Sequence, residues 1–276
     1  MTTPTPTTPT PTTPAPTTPA PSLRAALAST SAAASAEWIK LRSLRFTWFA
    51  LLGAAALTVV FAVVVAASIS ASAANGYDVT ASAAALAAQA VTVGQLPVLM
   101  VAVTVVTGEY ADASIRLSLR QTPLRGQLLL AKTLVAAAAG FCAGVPLAVA
   151  GMVAARVVLG TADTTSWDEA WRTVLGIGGY LALVSALVLG IGAITRSTIV
   201  SVLVSLLLLL AAPLLAQMTR AGWLEAATTY LPSTAGTALT SPEGGAYGAG
   251  AALAVLAVWV LLAQLGGYVA LWLRDA

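Results

Sequence analysis

Six stretches of this chain run for twenty or more residues with almost no charge, and short polar segments separate them. They cover about 46–69, 83–106, 128–155, 173–194, 198–217 and 249–272. Each reaches the ~20 apolar residues that an α-helix needs to cross ~30 Å of hydrocarbon. Lys132 is the one charge within them, near the start of the third, where its long side chain is expected to snorkel to the interface. The pattern predicts an all-α membrane protein of six spans, and an even number of spans places both termini on the same side.

The polar segments differ in character. Met1 to Pro21 repeats Thr and Pro, too poor in apolar surface to pack, and is expected to be a disordered tail outside a six-span domain of residues 22–276. Residues 22–45 turn basic in AEWIKLRSLRF. Trp38, Lys40, Arg42 and Arg45 there are candidate interfacial anchors, on either an interfacial helix with snorkelling basic side chains or a positive flank that only orients the next span. Ser166 followed by Glu169 fits a capping box, and Trp167 and Trp171 are spaced as interfacial anchors one turn apart. A short surface helix is therefore expected to lead into the fourth span. Only Thr195, Arg196 and Ser197 separate spans four and five, which makes them antiparallel neighbours. Residues 218–247 are too polar to span and too apolar to be a linker, and predict a structured cap before the sixth span, which Arg274 anchors at its end.

The segment from Thr107 to Gly126, TGEYADASIRLSLRQTPLRG, has the densest charge. At about 100° per residue, Glu109, Asp112, Arg116 and Arg120 fall on one stripe roughly 80° wide, so a helix here carries a single charged ridge. Its acids precede its bases, in keeping with the helix dipole, and Pro123 ends it. Four such charges would cost roughly 12 kcal/mol at mid-bilayer, so the ridge stands at the water's edge.

Composition narrows the chemistry. The chain is 58% hydrophobic and 8% charged, against roughly 25% charged in an ordinary soluble domain. Histidine is absent, which removes the commonest general base and metal ligand, and the single Cys142 lies in an apolar run. The few positive residues are scattered between spans, which gives no footprint for nucleic acid. Ten basic residues fall on the side of the termini and three on the other, so the positive-inside rule places both termini and the charged ridge in the cytosol. Residues 126–133, GQLLLAKT, come within one residue of a phosphate loop. Ala131 replaces the second glycine and three leucines enter a span, so a phosphate loop is rejected. Gly140 and Gly144 form a G-x-x-x-G helix-packing pattern, which in so glycine-rich a chain is read more readily as chance than as a packing contact. No catalytic group remains, so the chain is not expected to be an enzyme.

Transport is the class left, and it needs an energy source. Ion-coupled carriers keep acids or histidines within their spans, and no acid lies within these six. A separate motor gripped from the cytosol is therefore expected. The alternatives are a non-transporting scaffold or sensor subunit, and an ion-coupled carrier.

Three stretches resemble the permease subunits of type-2 ABC transporters, in their actinobacterial branch: EWIKLRSLRFTW before the first span, GEYADASIR running into TPLRGQLLLAK between the second and third, and GIGAITRST between the fourth and fifth. The resemblance covers the chain after Ser22 and departs at Ala113, where glycine is frequent in such permeases. It implies a bacterial plasma-membrane subunit that exports an apolar or amphipathic compound. It also implies a cytosolic ABC ATPase partner that binds ATP and magnesium, a second permease copy or paralogue, and no cofactor in this chain. The segment between spans two and three would carry a coupling helix, with Glu109, Arg116, Arg120, Pro123 and Arg125 forming the ATPase interface. Residues 218–247 would be the external cap.

Overall fold

The computed structural model describes residues 23–77, 79–111, 125–219, 226–241 and 245–273. Helix α1 is Leu23–Ser43, α2 Arg45–Ala74, α3 Ala83–Ala111 and α4 Arg125–Leu159, which ends in a 3₁₀ turn, Gly160–Ala162. Then come α5 Trp167–Thr195, α6 Thr198–Leu206, a π-helical turn Leu207–Ala211, α7 Ala212–Thr219, α8 Pro232–Thr240 and α9 Ala249–Leu273. No strand occurs among the described residues, and six helical stretches are long and apolar enough to cross a membrane. They are Arg45–Ala74, Ala83–Gly108, Gly126–Ala162, Trp167–Thr195, Thr198–Leu215 and Ala249–Leu273.

The six-span expectation holds, with two corrections at the edges. The third span is longer than the apolar run, because α4 carries its helix through Arg156 to Leu159. The fourth needs no separate surface helix, since α5 begins directly at Trp167. The capping box explains this start: Ser166 Oγ accepts from the Glu169 amide at 3.2 Å, and Glu169 Oε2 accepts from the Ser166 amide at 3.3 Å. Nothing between Trp171 and Thr173 then breaks the helix.

Helix α5 is the axis of the bundle. It packs on α4, α9, α3, α8 and α6, and its buried side chains run almost unbroken from Ile177 to Ala193. In a membrane such contacts rest on close packing rather than on expulsion of water, and small residues permit it. Gly140 and Gly144, set aside above as a chance pattern, are in fact the contact between α4 and α5. A Cβ on Gly140 would collide with the Leu181 carbonyl and Ser185 Oγ, and one on Gly144 would lie 2.9 Å from Gly178 Cα. Gly190 makes the equivalent approach to α9, where a Cβ would stand 2.8 Å from the Ala263 carbonyl carbon. Gly179, by contrast, faces open space. Polar glue supplements the packing: Thr133 on α4 donates to Gln264 Oε1 on α9 at 2.9 Å, and Gln264 Nε2 donates to the Ala186 carbonyl of α5 at 2.8 Å.

Within 218–247, α8 is the structured part of the expected cap. Its Pro232, Ala235, Gly236 and Ala238 are buried against α5 and α9, with Pro232 opening the helix at a position that needs no amide donor. The outside of the bundle is apolar, with Leu52, Val60, Val64, Leu261 and Leu265 all exposed, as lipid-facing helices require.

Two loops are clasped at one end of the bundle. A bridge joins Ala81 to Asp163, and Ser82 bonds to Thr165 and to Glu169. Asp163 Oδ1 accepts from the Ala83 amide, the Thr165 amide and the Thr165 hydroxyl, and Oδ2 pairs with Arg156 Nε at 3.2 Å. Burial raises the pKa of this carboxyl, but the Thr165 hydroxyl, the two amides and the Arg156 charge outweigh it and hold it below its ordinary value of 3.8.

Two expectations follow. Gly140→Leu forces α4 and α5 apart and destabilises the bundle by about 1–3 kcal/mol, read as a lowered melting temperature in mild detergent. Because the folded pKa of Asp163 is depressed, its stabilisation is complete above 3.8 and disappears as pH falls through the folded value. Hydrogen exchange at the Ala83 and Ala84 amides therefore accelerates in that acid window, and Asp163→Asn removes the pH dependence.

Candidate functional site

The opposite end of the bundle gathers the three sequence stretches singled out above. It holds the end of α1, the last turns of α3, the first turns of α4, the α5–α6 link and the last turn of α9. Between α3 and α4 lies the charged ridge, whose Arg116, Arg120 and Pro123 fall outside the described residues. Glu109 and Arg125 belong to the backbone of α3 and α4, and nothing is described of their side chains. What the structure does show is how the two roots of that segment are held.

The first hold is a buried ion pair. Lys132, expected to snorkel toward the interface, is instead 1% exposed. Its Nζ donates to Glu37 Oε2 of α1 at 2.8 Å and to the Val105 carbonyl of α3 at 3.2 Å. Glu37 is itself buried, and its other oxygen accepts from Lys40 at 2.9 Å. One carboxylate therefore serves two ammonium groups, and one lysine ties α1, α3 and α4 together. A snorkel fails here for a physical reason: α1 lies along α4 and covers the side chain, so its nearest polar partners are inside.

Apolar contacts fix α1 in that place. Leu41 is buried with Ala50, Val101 and Val135, and Trp38 packs partly against the same cluster. Arg42 and Arg45 stay exposed on the outer face. The Arg42 carbonyl accepts from Trp48 Nε1 at 3.0 Å, which ties the α1–α2 junction. At the other end of the bundle, Trp167 and Trp171 are exposed, Trp171 donating to Asp168 and lying under the Arg172 guanidinium at 5.7 Å. Arg274 lies outside the described residues.

The second hold comes from the α5–α6 link. Thr198 donates to Thr107 Oγ1 at 2.8 Å, and Thr107 donates in turn to the Val103 carbonyl at 3.0 Å. Thr195 and Ser201 share a hydrogen bond of 2.6 Å across the turn. Arg196 caps α5 in the left-handed conformation, with φ of 54°, and its amide bonds to the Gly192 carbonyl. Its guanidinium reaches the Ala270 carbonyl of α9 at 3.1 Å. A Cβ on Gly192 would fall 2.7 Å from Val106 Cγ1, so the link presses directly on the end of α3.

Both roots of the ridge are thus fastened. On the α3 side Val105 and Thr107 are held by Lys132 and Thr198, and on the α4 side Lys132 itself is held by Glu37. Among the described residues, no group of three or more His, Cys, Asp or Glu gathers to hold a metal ion.

Sequence reasoning left Glu37 out. The signal was present: Lys132 is the lone charge in six apolar runs, and Glu37 is the lone acid in a basic amino-terminal stretch.

A family model described as ABC-2 family transporter protein matches residues 34–212, which takes in Glu37, Lys132, Thr107 and the α5–α6 link. No curated protein matches the chain.

The ion pair makes an unequal prediction for its two ends. Glu37→Gln takes the carboxylate away from a buried ammonium and costs about 3–5 kcal/mol. Lys132→Met costs less, because Glu37 keeps Lys40. Thermal unfolding in detergent should rank Glu37→Gln below Lys132→Met, with the double variant recovering most of the loss.

Proposed function

The chain belongs to the ABC-2 transporter family, and from that premise we propose that it serves as the membrane-spanning half of a bacterial exporter powered by ATP hydrolysis in a separate chain. As an ABC transporter permease with six apolar helices, it is a multi-pass membrane protein. The proposed cargo is an apolar or amphipathic compound. The proposed assembly pairs two permeases, identical or paralogous, with two ATPase subunits that bind ATP and magnesium. In this reading the membrane is the bacterial plasma membrane, the termini face the cytosol, and residues 218–247 cap the external side.

The observation that carries the reading is the double fastening of the ridge. A push on residues 109–125 from an ATPase would not be lost in a loose loop. Lys132 and Val105 would pass it to α1, while Thr107 and Thr198 would pass it to α5 and α6. Motion needs contiguous packed elements to travel, and these contacts supply them at both ends of the segment. The charges on the ridge supply the docking side, with Glu109, Arg116, Arg120, Pro123 and Arg125 as the proposed ATPase contact.

The buried acid bears on the energy source. An ion-coupled carrier uses an acid that gains and loses a proton during the cycle. Glu37 is fixed in ion pairs with Lys40 and Lys132, and in this reading it serves as an anchor rather than a relay.

A tagged chain purified from its native membrane is expected to bring down an ATPase, and vesicles containing both to move cargo only with ATP. Reversing Arg116 and Arg120 to Glu should abolish that transport while membrane insertion stays normal. Transport that stops with uncouplers but ignores ATP depletion indicates an ion-coupled carrier instead. Absence of both an ATPase and transport indicates a scaffold or sensor.

A further inference from the structure

A cavity of about 410 Å³ lies away from the ridge, between α3, α5, the π turn and α8. Its position is unusual for a bundle of spans, because α8 is not a span. Ser233 at the start of α8 bonds to the Leu208 carbonyl inside the fifth span, and Trp259 of α9 reaches the Tyr230 carbonyl just before α8. From the cap, the chain around α8 therefore dips in between the spans. Non-helical backbone at that depth is tolerated where it is buried in protein or lines a polar cavity. The π turn on the opposite wall is a feature that recurs at functional sites.

The hydrogen-bonding state of the lining determines what fits. On α8, the hydroxyl of Thr234 donates to the Thr228 carbonyl at 2.7 Å, that of Thr237 to Thr234 at 2.8 Å, and that of Thr240 to Gly236 at 2.9 Å. Ser233 donates to Leu208. Each hydroxyl has thus spent its single proton on a backbone carbonyl, and what it offers to the cavity is lone pairs. Across from them, Tyr180 donates to Gln95 Oε1 at 2.8 Å, and Gln95 Nε2 donates to the Thr92 carbonyl at 3.0 Å. Gln95 is 1% exposed and Tyr180 6%, so this pair is a built wall and not a surface accident. The remaining capacity of the cavity is several acceptors, one amide proton of Gln95 and the hydroxyl of Thr92. Leu209, Leu210 and Leu214 supply an apolar side.

No acid or base is among the described lining residues. An ionised ligand would meet no counter-charge among these described residues, and that is costly away from water. A ligand with only acceptors would face acceptors. The volume suits a small organic molecule.

We propose that this cavity binds an uncharged amphiphile whose head group donates several hydrogen bonds, a polyol or an amide, with its apolar tail against Leu209, Leu210 and Leu214. Binding requires neither ATP nor a partner chain, and it is the same for a cargo molecule or a resident lipid. Gln95 and the hydroxyls of Ser233 and Thr237 select the head group.

The test uses the full chain in lipid nanodiscs, with equilibrium dialysis against empty discs and three radiolabelled probes. 1-Octanoylglycerol has donors and no charge, methyl octanoate has no donors, and octylammonium has donors and a charge. The expected result is saturable binding of 1-octanoylglycerol, with both other probes at least about tenfold weaker. The double variant Ser233→Ala/Thr237→Val should lose about tenfold toward 1-octanoylglycerol and nothing toward methyl octanoate. Should its melting temperature fall, Thr237→Val alone, at an exposed position, takes its place with a smaller loss in the same direction. Equal binding of methyl octanoate, tighter binding of octylammonium, unaltered affinity in the variant, or no saturable binding each overturns the proposal. A chain that binds 1-octanoylglycerol yet supports no ATP-driven transport keeps this site and loses the export reading.

Discussion

Inside a bilayer, helices gain nothing by hiding apolar surface from lipid, so this bundle depends on how closely its backbones can approach α5. Gly140 and Gly144 bring α4 against Leu181 and Gly178, and Gly190 lets Ala263 of α9 come up to α5. The other contacts follow from these. Once α4 is seated on α5, Lys132 lies beside Val105 and within reach of Glu37, and Thr133 lies opposite Gln264. A larger side chain at Gly140 would disturb a core helix pair, and through it the polar contacts at the bundle's end.

The two ends of the bundle are built differently. At one, Asp163, Thr165, Glu169 and Ser82 lock two loops together with short-range hydrogen bonds and an exposed arginine. At the other, the contacts join whole helices: α1 to α4, α3 to α4, the α5–α6 link to α3, and Arg196 to the end of α9. The first arrangement restrains a surface. The second makes the ridge segment continuous with most of the bundle.

Much of this was legible in the residues, for reasons that differ element by element. The spans were readable because uncharged runs of that length have few other homes, and the start of α5 because Ser166 and Glu169 make a reciprocal cap that works locally. The extent of α4 was not, since a helix can outrun its apolar stretch through a terminal residue such as Arg156. Gly140 and Gly144 misled, because a spacing of four carries meaning only when a partner backbone lies opposite, and Gly178 is remote in the chain. Lys132 misled for a related reason. A lysine near a span end snorkels unless something covers it, and the covering helix is separated from it by two spans. Of the ridge, Arg116, Arg120 and Pro123 lie outside the described residues, and the structure adds the fastening of its roots.

That separation also has a bearing on how the protein is made. Glu37 precedes Lys132 by 95 residues, so at ~5–20 residues per second the carboxylate leaves the ribosome roughly 5–20 seconds before the lysine. The third span brings a buried cation, Lys132, into the bundle. By the time it arrives its counter-ion has already been synthesised, together with the helix that will shelter them both. Moving the acid to a later position in the chain would leave the same final contact but expose the newly inserted lysine to the membrane alone.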